Sequence, residues 1–281
     1  MIEVKRKAVS PQRDSKALTF LYKNAFGRIL LRVLRAKWVS IIAGAFLNTR
    51  LSRFLIKPFI KKNNIDLSEY ESDNFKCFND CFCRKIKDGF RPFDMDKEAL
   101  TSPCDGLLSV YKIKNGAVYP IKQSFYTLSS LLKNVKLAGE YENGYMYVFR
   151  LCVNHYHRYY YPANGSKGKN IHINGTLHTV RPIALESTKV FCENSREYTI
   201  IETENFGRIV QMEVGAMLVG KIHNLHGAKR VQKGEEKGMF LYGGSTVILL
   251  TDQSVNPLPE FIENTQNGKE TEVKAGERIN E

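Results

Sequence analysis

Between residues 107 and 250 the chain is broken into short apolar and aromatic runs punctuated by glycine, and this pattern constrains the fold more than any other feature. The runs at residues 107–113, 118–122, 145–151, 198–202, 208–214, 217–222, 239–242 and 246–250 read as strands, with Gly207, Gly215, Gly220, Gly238 and the Gly243-Gly244 pair as punctuation. Residues 100–252 are therefore expected to form a mostly antiparallel β domain, with one helix at 124–133. Alternation within the runs is imperfect, since Leu108 and Val110 fall on the face opposite Tyr111 and Ile113. The polar tail at 263–281 reads as peripheral, although residues 273–277 could add an edge strand.

The N-terminal part has a different character. Leu18, Tyr22, Phe26, Ile29 and Val33 recur at helical spacing, with Arg28, Arg32 and Arg35 on the other side. A second helix is expected over residues 39–56, ended by Pro58, and a third over 74–87, stopping near Gly89. The fold class is thus α+β, with N-terminal amphipathic helices followed by the β domain.

Charge divides the chain in the same way. Residues 1–62 carry fifteen Lys or Arg against Glu3 and Asp14, and this difference equals the whole net charge of +13. Such a segment suits an anionic surface, either phospholipid headgroups or nucleic acid. The best apolar run, residues 38–47, is far short of the roughly 20 residues a spanning helix needs, so docking on a bilayer is expected rather than crossing it. The first residues lead into no secretory signal pattern.

The six cysteines lack the density of a disulfide scaffold. Cys77, Cys81 and Cys83 lie close together, yet no second pair of Cys or His follows at zinc-site spacing, and no metal is expected.

The segment from Lys233 to Val247 carries the chemistry. Gly243-Gly244-Ser245-Thr246 between two apolar runs reads first as a turn. A glycine before a serine also leaves its carbonyl carbon open to attack by the neighbouring hydroxyl, and tolerates the backbone strain involved. Cleavage of that bond would further need a base, a group orienting the base, and oxyanion donors.

Several motifs along the chain resemble those of the phosphatidylserine decarboxylases. Cys81-Phe82-Cys83-Arg84 followed by Arg91-Pro92-Phe93-Asp94 is similar to the family's Phe-Phe-x-Arg segment and Arg-Pro turn. Ser102-Pro103-Cys104-Asp105-Gly106 resembles its Pro-x-Asp-Gly motif, and Tyr156-His157-Arg158 its Tyr-His-Arg motif. Asn194-Ser195-Arg196 is similar to Asn-Glu-Arg, with Ser195 a departure, and residues 214–222 resemble its Val-Gly-Ala-x-x-Val-Gly segment. Lys233-Gly234-Glu235-Glu236-Lys237-Gly238 then runs into Gly243-Gly244-Ser245-Thr246, which resembles the processing motif.

The resemblance implies a self-cleaving precursor. Asp105, His157 and Ser245 would form a triad in which His157 takes the Ser245 proton and Asp105 holds the imidazole in the needed tautomer. The bond between Gly244 and Ser245 would break, leaving large chain 1–244 and small chain 245–281 as a heterodimer, itself open to higher assembly. Ser245 would become a pyruvoyl group, the implied cofactor, whose ketone condenses with the amine of phosphatidylserine as an imine while carbon dioxide leaves. Many family members carry a second histidine three residues after the Tyr-His-Arg histidine. Tyr160 stands there in this chain, so the role is assigned to His157, with His155 as the alternative.

Residues 1–70 would be the membrane-associating segment and 71–281 the decarboxylase. The implied partner is phosphatidylserine in anionic membranes rather than nucleic acid, with the enzyme peripheral on the cytoplasmic face of the cell membrane. A decarboxylase of another serine-headgroup lipid and a non-enzymatic basic binding protein are the competing readings.

Overall fold

The computed structural model describes residues 6–10, 24, 37–121, 124–175, 194–215, 222–241 and 245–281. The expected amphipathic helix from Leu18, the run at 217–221, Cys192 and Gly244 lie outside the described residues.

The early strands are β1 (Ala8–Val9), β2 (Gly106–Lys112), β3 (Tyr119–Ile121), β4 (Ser124–Tyr126), β5 (Tyr145–Leu151), β6 (Arg158–Tyr160), β7 (Gly165–Lys167) and β8 (Ile171–Ile173). There follow β9 (Arg196–Thr203), β10 (Arg208–Val214), β11 (Ile222–Asn224), β12 (Lys229–Val231), β13 (Glu236–Phe240), β14 (Ser245–Thr251) and β15 (Glu270–Val273). Ten of them form one antiparallel sheet in the order β1-β15-β2-β5-β14-β10-β9-β7-β12, with β8 also paired to β9. Strands β11, β13 and β6 make a second sheet, and β3 and β4 a hairpin.

Both faces of the large sheet are covered. Met146, Val148, Met212, Ile248 and Leu250 pack with Leu131, Leu132, Leu137 and Tyr141, which belong to or adjoin the short helices Leu128–Leu132 and Val135–Glu140. On the opposite face Tyr147, Phe149, Ile209, Val247 and Leu249 pack with Tyr159, Phe240 and Phe261, the last on helix Pro259–Gln266. Strands buried on both sides need no polar face, which explains the imperfect alternation in the sequence.

Several expectations need correction. Residues 124–133 divide into strand β4 and a helix that begins only at Leu128, capped by the Thr127 side chain. The helix expected over 74–87 is confined to Phe78–Phe82. The one expected over 39–56 is helix Lys37–Leu47, a 3-10 turn at Arg50–Leu55 and helix Ile56–Asn63, with Pro58 inside the last rather than ending it. Proline is tolerated there because the first-turn amides of a helix have no intrahelical partner to lose.

The C-terminal tail is also not peripheral. Strand β15 lies between β1 and β2, and Thr271, Val273, Ala275 and Ile279 are buried. Its strand ends where residues 273–277 were expected to begin one, because Lys274–Glu277 turns inward instead.

The helices at 37–63 pack on the rest of the chain through one apolar layer. Leu47 and Ile56 are buried against Phe75, Phe78 and Phe82, with Phe59 edge-on to Phe78 at 5.0 Å between centroids. Buried Ser52 joins the segments, its hydroxyl donating to the Thr49 carbonyl at 2.8 Å and accepting the Phe78 amide at 2.8 Å. A further cluster of Tyr70, Ile86 and Tyr156, with Ile65 and Leu67, crosses the 70/71 line.

Candidate active site

Strand polarity gathers the site at one end of the large sheet. β2 and β14 both run antiparallel to β5, so their first residues meet its last. Leu107 stands opposite Arg150, and Ser245 opposite Leu151. Asp105 therefore precedes β2, Cys152–His157 follows β5, and Ser245 opens β14, all at the same end. Gly106 permits this approach, since a Cβ there would lie 3.2 Å from the Arg150 carbonyl oxygen.

Ser245 is fully buried. By alternation along β14 it shares a face with Val247 and Leu249, the face that packs against Tyr159 and Phe240. His157 is fully buried as well, its ring tilted over Phe82 with centroids 4.0 Å apart. The Phe240 amide donates to the His157 carbonyl at 2.9 Å, which ties the histidine to β13 just upstream of the Gly-Gly-Ser-Thr motif.

The histidine tautomers follow from their partners. His157 Nδ1 is 2.8 Å from the His155 carbonyl oxygen. A carbonyl only accepts, so Nδ1 carries the proton and Nε2 the lone pair. His155 is the reverse: its Nδ1 accepts the Cys152 amide at 3.1 Å, so in the neutral ring the proton sits on Nε2. Burial pushes the His155 pKa down, against the pull of the Asp105 charge. Of the two histidines, His157 is the one disposed to act as a base, and His155 as a donor.

Asp105 is held elsewhere. Arg91 Nε lies 2.9 and 3.1 Å from its two carboxylate oxygens, Arg91 Nη2 lies 2.7 Å from Oδ2, and the Ala275 amide donates to Oδ1 at 2.9 Å. Among the described residues no hydrogen bond joins Asp105 to His157. The orienting bond expected from Asp105 comes instead from a backbone carbonyl, that of His155. Asp105 and His155 line a common cleft of about 170 Å³ with Tyr70, Arg91, Tyr156 and Lys274. A larger cleft of about 360 Å³, between Tyr145, Pro259 and Glu281, contains none of Asp105, His157 or Ser245.

Tyr160, three residues after His157, has its hydroxyl 2.8 Å from that of Tyr156, and burial pushes its pKa up to about 12. It is a neutral phenol near pH 7. The thiols of Cys81 and Cys83 are likewise pushed up by burial, to about 11 and about 12.

Other motif residues serve as struts. Arg158 donates from Nε to the Cys83 carbonyl at 3.0 Å and pairs with Glu236 at 2.7 Å. Lys233 Nζ donates to the carbonyls of Asp94, Asp96 and Ala99. Lys237 and Glu213 form a fully buried ion pair at 2.6 Å, with Asn224 2.8 Å from the ammonium. Burial pushes the Glu213 carboxyl up and the Lys237 ammonium down, and their mutual attraction opposes both. Glu213 stands opposite Val247, so it emerges on the same face as Ser245.

Sequence reasoning missed the Arg91 fork, the Ala275 amide, the His155 carbonyl and the Glu213–Lys237 pair. Arg91 and Lys237 lay within recognised motifs without a role. The two backbone groups carry no signature that a sequence could show.

Comparison with known proteins identifies the family. The family described as phosphatidylserine decarboxylase matches residues 78–281. Phosphatidylserine decarboxylase proenzyme 2 of Clostridium acetobutylicum is 44% identical over 272 residues, covering 96% of this chain and 93% of that protein. A phosphatidylserine decarboxylase proenzyme of Clostridium botulinum is 43% identical over 271 residues, covering 94% and 92%. That of Clostridium kluyveri is 37% identical over 284 residues, covering 99% and 96%. With its motifs at one end of the sheet and similarity along nearly its whole length, the chain belongs to the phosphatidylserine decarboxylase family.

Proposed function

We propose that this protein decarboxylates phosphatidylserine to phosphatidylethanolamine, using a pyruvoyl group made from Ser245 when the precursor cleaves itself between Gly244 and Ser245. The observation that carries the reading is the 2.8 Å bond from His157 Nδ1 to the His155 carbonyl. It puts the lone pair of a buried imidazole on Nε2, at the end of the sheet where buried Ser245 begins β14.

His157 takes the Ser245 proton as the hydroxyl oxygen attacks the Gly244 carbonyl carbon, and an ester replaces the peptide bond. Elimination then breaks the ester bond to the Ser245 side chain and releases the Gly244 carboxylate, and water adds to the resulting dehydroalanine in its imine form as ammonia leaves, giving the pyruvoyl end. The residues present fit such a group. Ser245 is fully buried and β14 is paired on both sides, by β5 and β10, so the new chain end stays enclosed. A pyruvoyl group supplies a ketone that condenses with the substrate amine and draws off the electrons released with carbon dioxide. In self-cleavage His157 passes the Ser245 proton to the amine freed from Gly244, and in the later decarboxylation the same imidazole, protonated afresh from solvent, gives a proton to the substrate carbon.

The two chains remain one heterodimer because the small chain is woven into the sheet. Its β14 lies between two strands of the large chain, and so does its β15. Ser245→Ala is expected to stay uncut on a denaturing gel and to be inactive, whereas the wild type gives a large chain and a companion of about 4 kDa. A small chain with a free amino terminus, or an active uncut Ser245→Ala protein, overturns the proposal.

We further infer that the enzyme works as a peripheral protein on the cytoplasmic face of the cell membrane. Ile42, Leu51 and Phe54 are 61, 74 and 68% exposed, and Arg50, Arg53, Lys57 and Lys61 are exposed around them. Apolar side chains ringed by cations suit the headgroup region of an anionic leaflet. Among the described residues no helix is long and apolar enough to cross a membrane. Cosedimentation with vesicles with and without phosphatidylserine tests the inference, which fails if binding is indifferent to both lipid charge and Leu51→Asp/Phe54→Asp.

A further inference from the structure

We propose that Arg91 and the backbone amide of Ala275 form a two-sided clamp that positions the Asp105 carboxylate for self-cleavage, so that residues from both sides of the Gly244–Ser245 bond must meet before it breaks. The inference rests on the reading of His157 and Ser245 given above, with Asp105 acting on them not by a bond to His157 but through His155, beside which it lies in one cleft and whose carbonyl orients His157. It adds a positioning residue, Arg91, and a dependence on the C-terminal segment.

The clamp is built with unusual completeness. Arg91 approaches Asp105 with two nitrogens, at 2.7 to 3.1 Å, and its Nη2 also contacts Glu69 at 2.9 Å while its Nη1 donates to the Phe90 carbonyl at 2.8 Å. The side chains of Arg91 and Asp105 are only 7 and 9% exposed. A guanidinium fork fixes the plane of a carboxylate as well as its charge, which a lysine cannot do.

The opposite side comes from the far end of the chain. Ala275 donates to Asp105 Oδ1 at 2.9 Å, and the next two residues hold the flanking segments together. The Gly276 carbonyl accepts the Asp94 amide at 3.0 Å, the Gly276 amide donates to the Ser102 carbonyl at 2.9 Å, and the Glu277 carbonyl accepts the Ser102 amide at 2.8 Å. The segment thus lies between the turn that carries Arg91 and the approach to Asp105. Gly276 has φ +89°, and a Cβ there would sit 2.5 Å from the Pro92 carbonyl oxygen, so only glycine fits without moving the clamp. Ala275 belongs to the future small chain. Self-cleavage therefore waits until the C-terminal residues have been made and docked.

Arg91 touches neither His157 nor Ser245 among the described contacts, and it acts through Asp105. The test is the rate of self-cleavage of full-length chains after in vitro translation, followed on denaturing gels beside the melting temperature of each purified variant. Arg91→Ala is expected to slow cleavage on the order of 100-fold, the loss typical of a misplaced group, and added guanidinium ion below denaturing concentrations to restore part of the rate. Arg91→Lys should fall between the two with an unchanged melting temperature, and Gly276→Ala should also slow cleavage.

Combining Arg91→Ala with Asp105→Asn should cost no more than Asp105→Asn alone, as expected of residues acting as a unit. Cleavage of Arg91→Ala or Arg91→Lys at the wild-type rate overturns the clamp. So does slow cleavage that neither guanidinium nor lysine improves and that follows a lowered melting temperature, since this marks a purely structural pair. If Asp105→Asn itself cleaves normally, the reading of Asp105 falls first. If only Arg91→Ala cleaves normally while Asp105→Asn and Ser245→Ala stay uncut, the clamp alone is lost.

Discussion

The two ends of the chain reach the same site by different means. Residues 37–63 rest on it from behind, through the Leu47, Ile56, Phe78 and Phe82 layer whose last ring contacts His157. Residues 245–281 are threaded into it, with β14 and β15 each hydrogen-bonded on both sides. The N-terminal end leaves large apolar side chains in solvent, whereas β14 is buried along its whole length. A segment held by one apolar layer keeps an outer surface for another partner, and a segment held by strand pairing on both edges becomes part of the scaffold itself.

The contrast can be broken at several points. The largest effect is expected at the buried charge pair beside β14. Lys237→Met leaves Glu213 uncompensated and should cost about 3–5 kcal/mol, read from denaturant unfolding, while the double change Lys237→Met/Glu213→Leu should recover much of it. Near-equal losses for the single and double changes would show that the pair carries no such coupling.

Next come paired truncations at the two ends. Leu249→Ala in β14 should cost about 2–5 kcal/mol, because paired strands cannot close around the cavity. Leu47→Ala should cost less, since its helix can settle onto Phe78 and Phe82. Equal costs would mean the N-terminal helices are as rigidly built in as the small chain.

A smaller effect concerns His155. Its folded pKa lies below the usual 6.5, from burial, so the unfolded chain binds a proton more readily. The stability linked to the neutral ring is fully present above that ordinary value and is lost as pH falls through the lowered folded one. Thermal unfolding between pH 7 and 5 should show this slope, and His155→Asn should flatten it. The smallest effect on stability is expected for Leu51→Asp/Phe54→Asp, within about 0.5 kcal/mol. The same change should nevertheless weaken binding to anionic vesicles, and a large loss of stability instead would place these side chains in the fold's own packing.

Much of the architecture was legible beforehand where local patterns suffice. Strands β2, β5, β10 and β14 appear close to their expected limits, because their runs of branched and aromatic residues are long enough to be read alone. Strands such as β6, β7 and β11 are only three residues long and polar in part, and pairing rather than propensity makes them strands. The helix expected over 74–87 is confined to Phe78–Phe82 for the opposite reason, since Arg84 beyond its end is drawn into contacts with Tyr70 and Asn154.

At the site the division is similar. Asp105, His157 and Ser245 can be picked out from motifs, because side-chain identity is written residue by residue, and the strand pairing brings their segments to one end of the sheet. Which atom orients His157, and what holds Asp105, could not. The His155 carbonyl and the Ala275 amide are groups almost every residue possesses, and Arg91 reaches Asp105 across segments that Gly276 ties together through Asp94 and Ser102. The sequence by itself determined the class of fold and the family, and it marked out the candidate side chains. Only the tertiary structure decided the tautomer of His157 and the partners of Asp105, because hydrogen bonds to backbone groups depend on where distant segments are brought to rest.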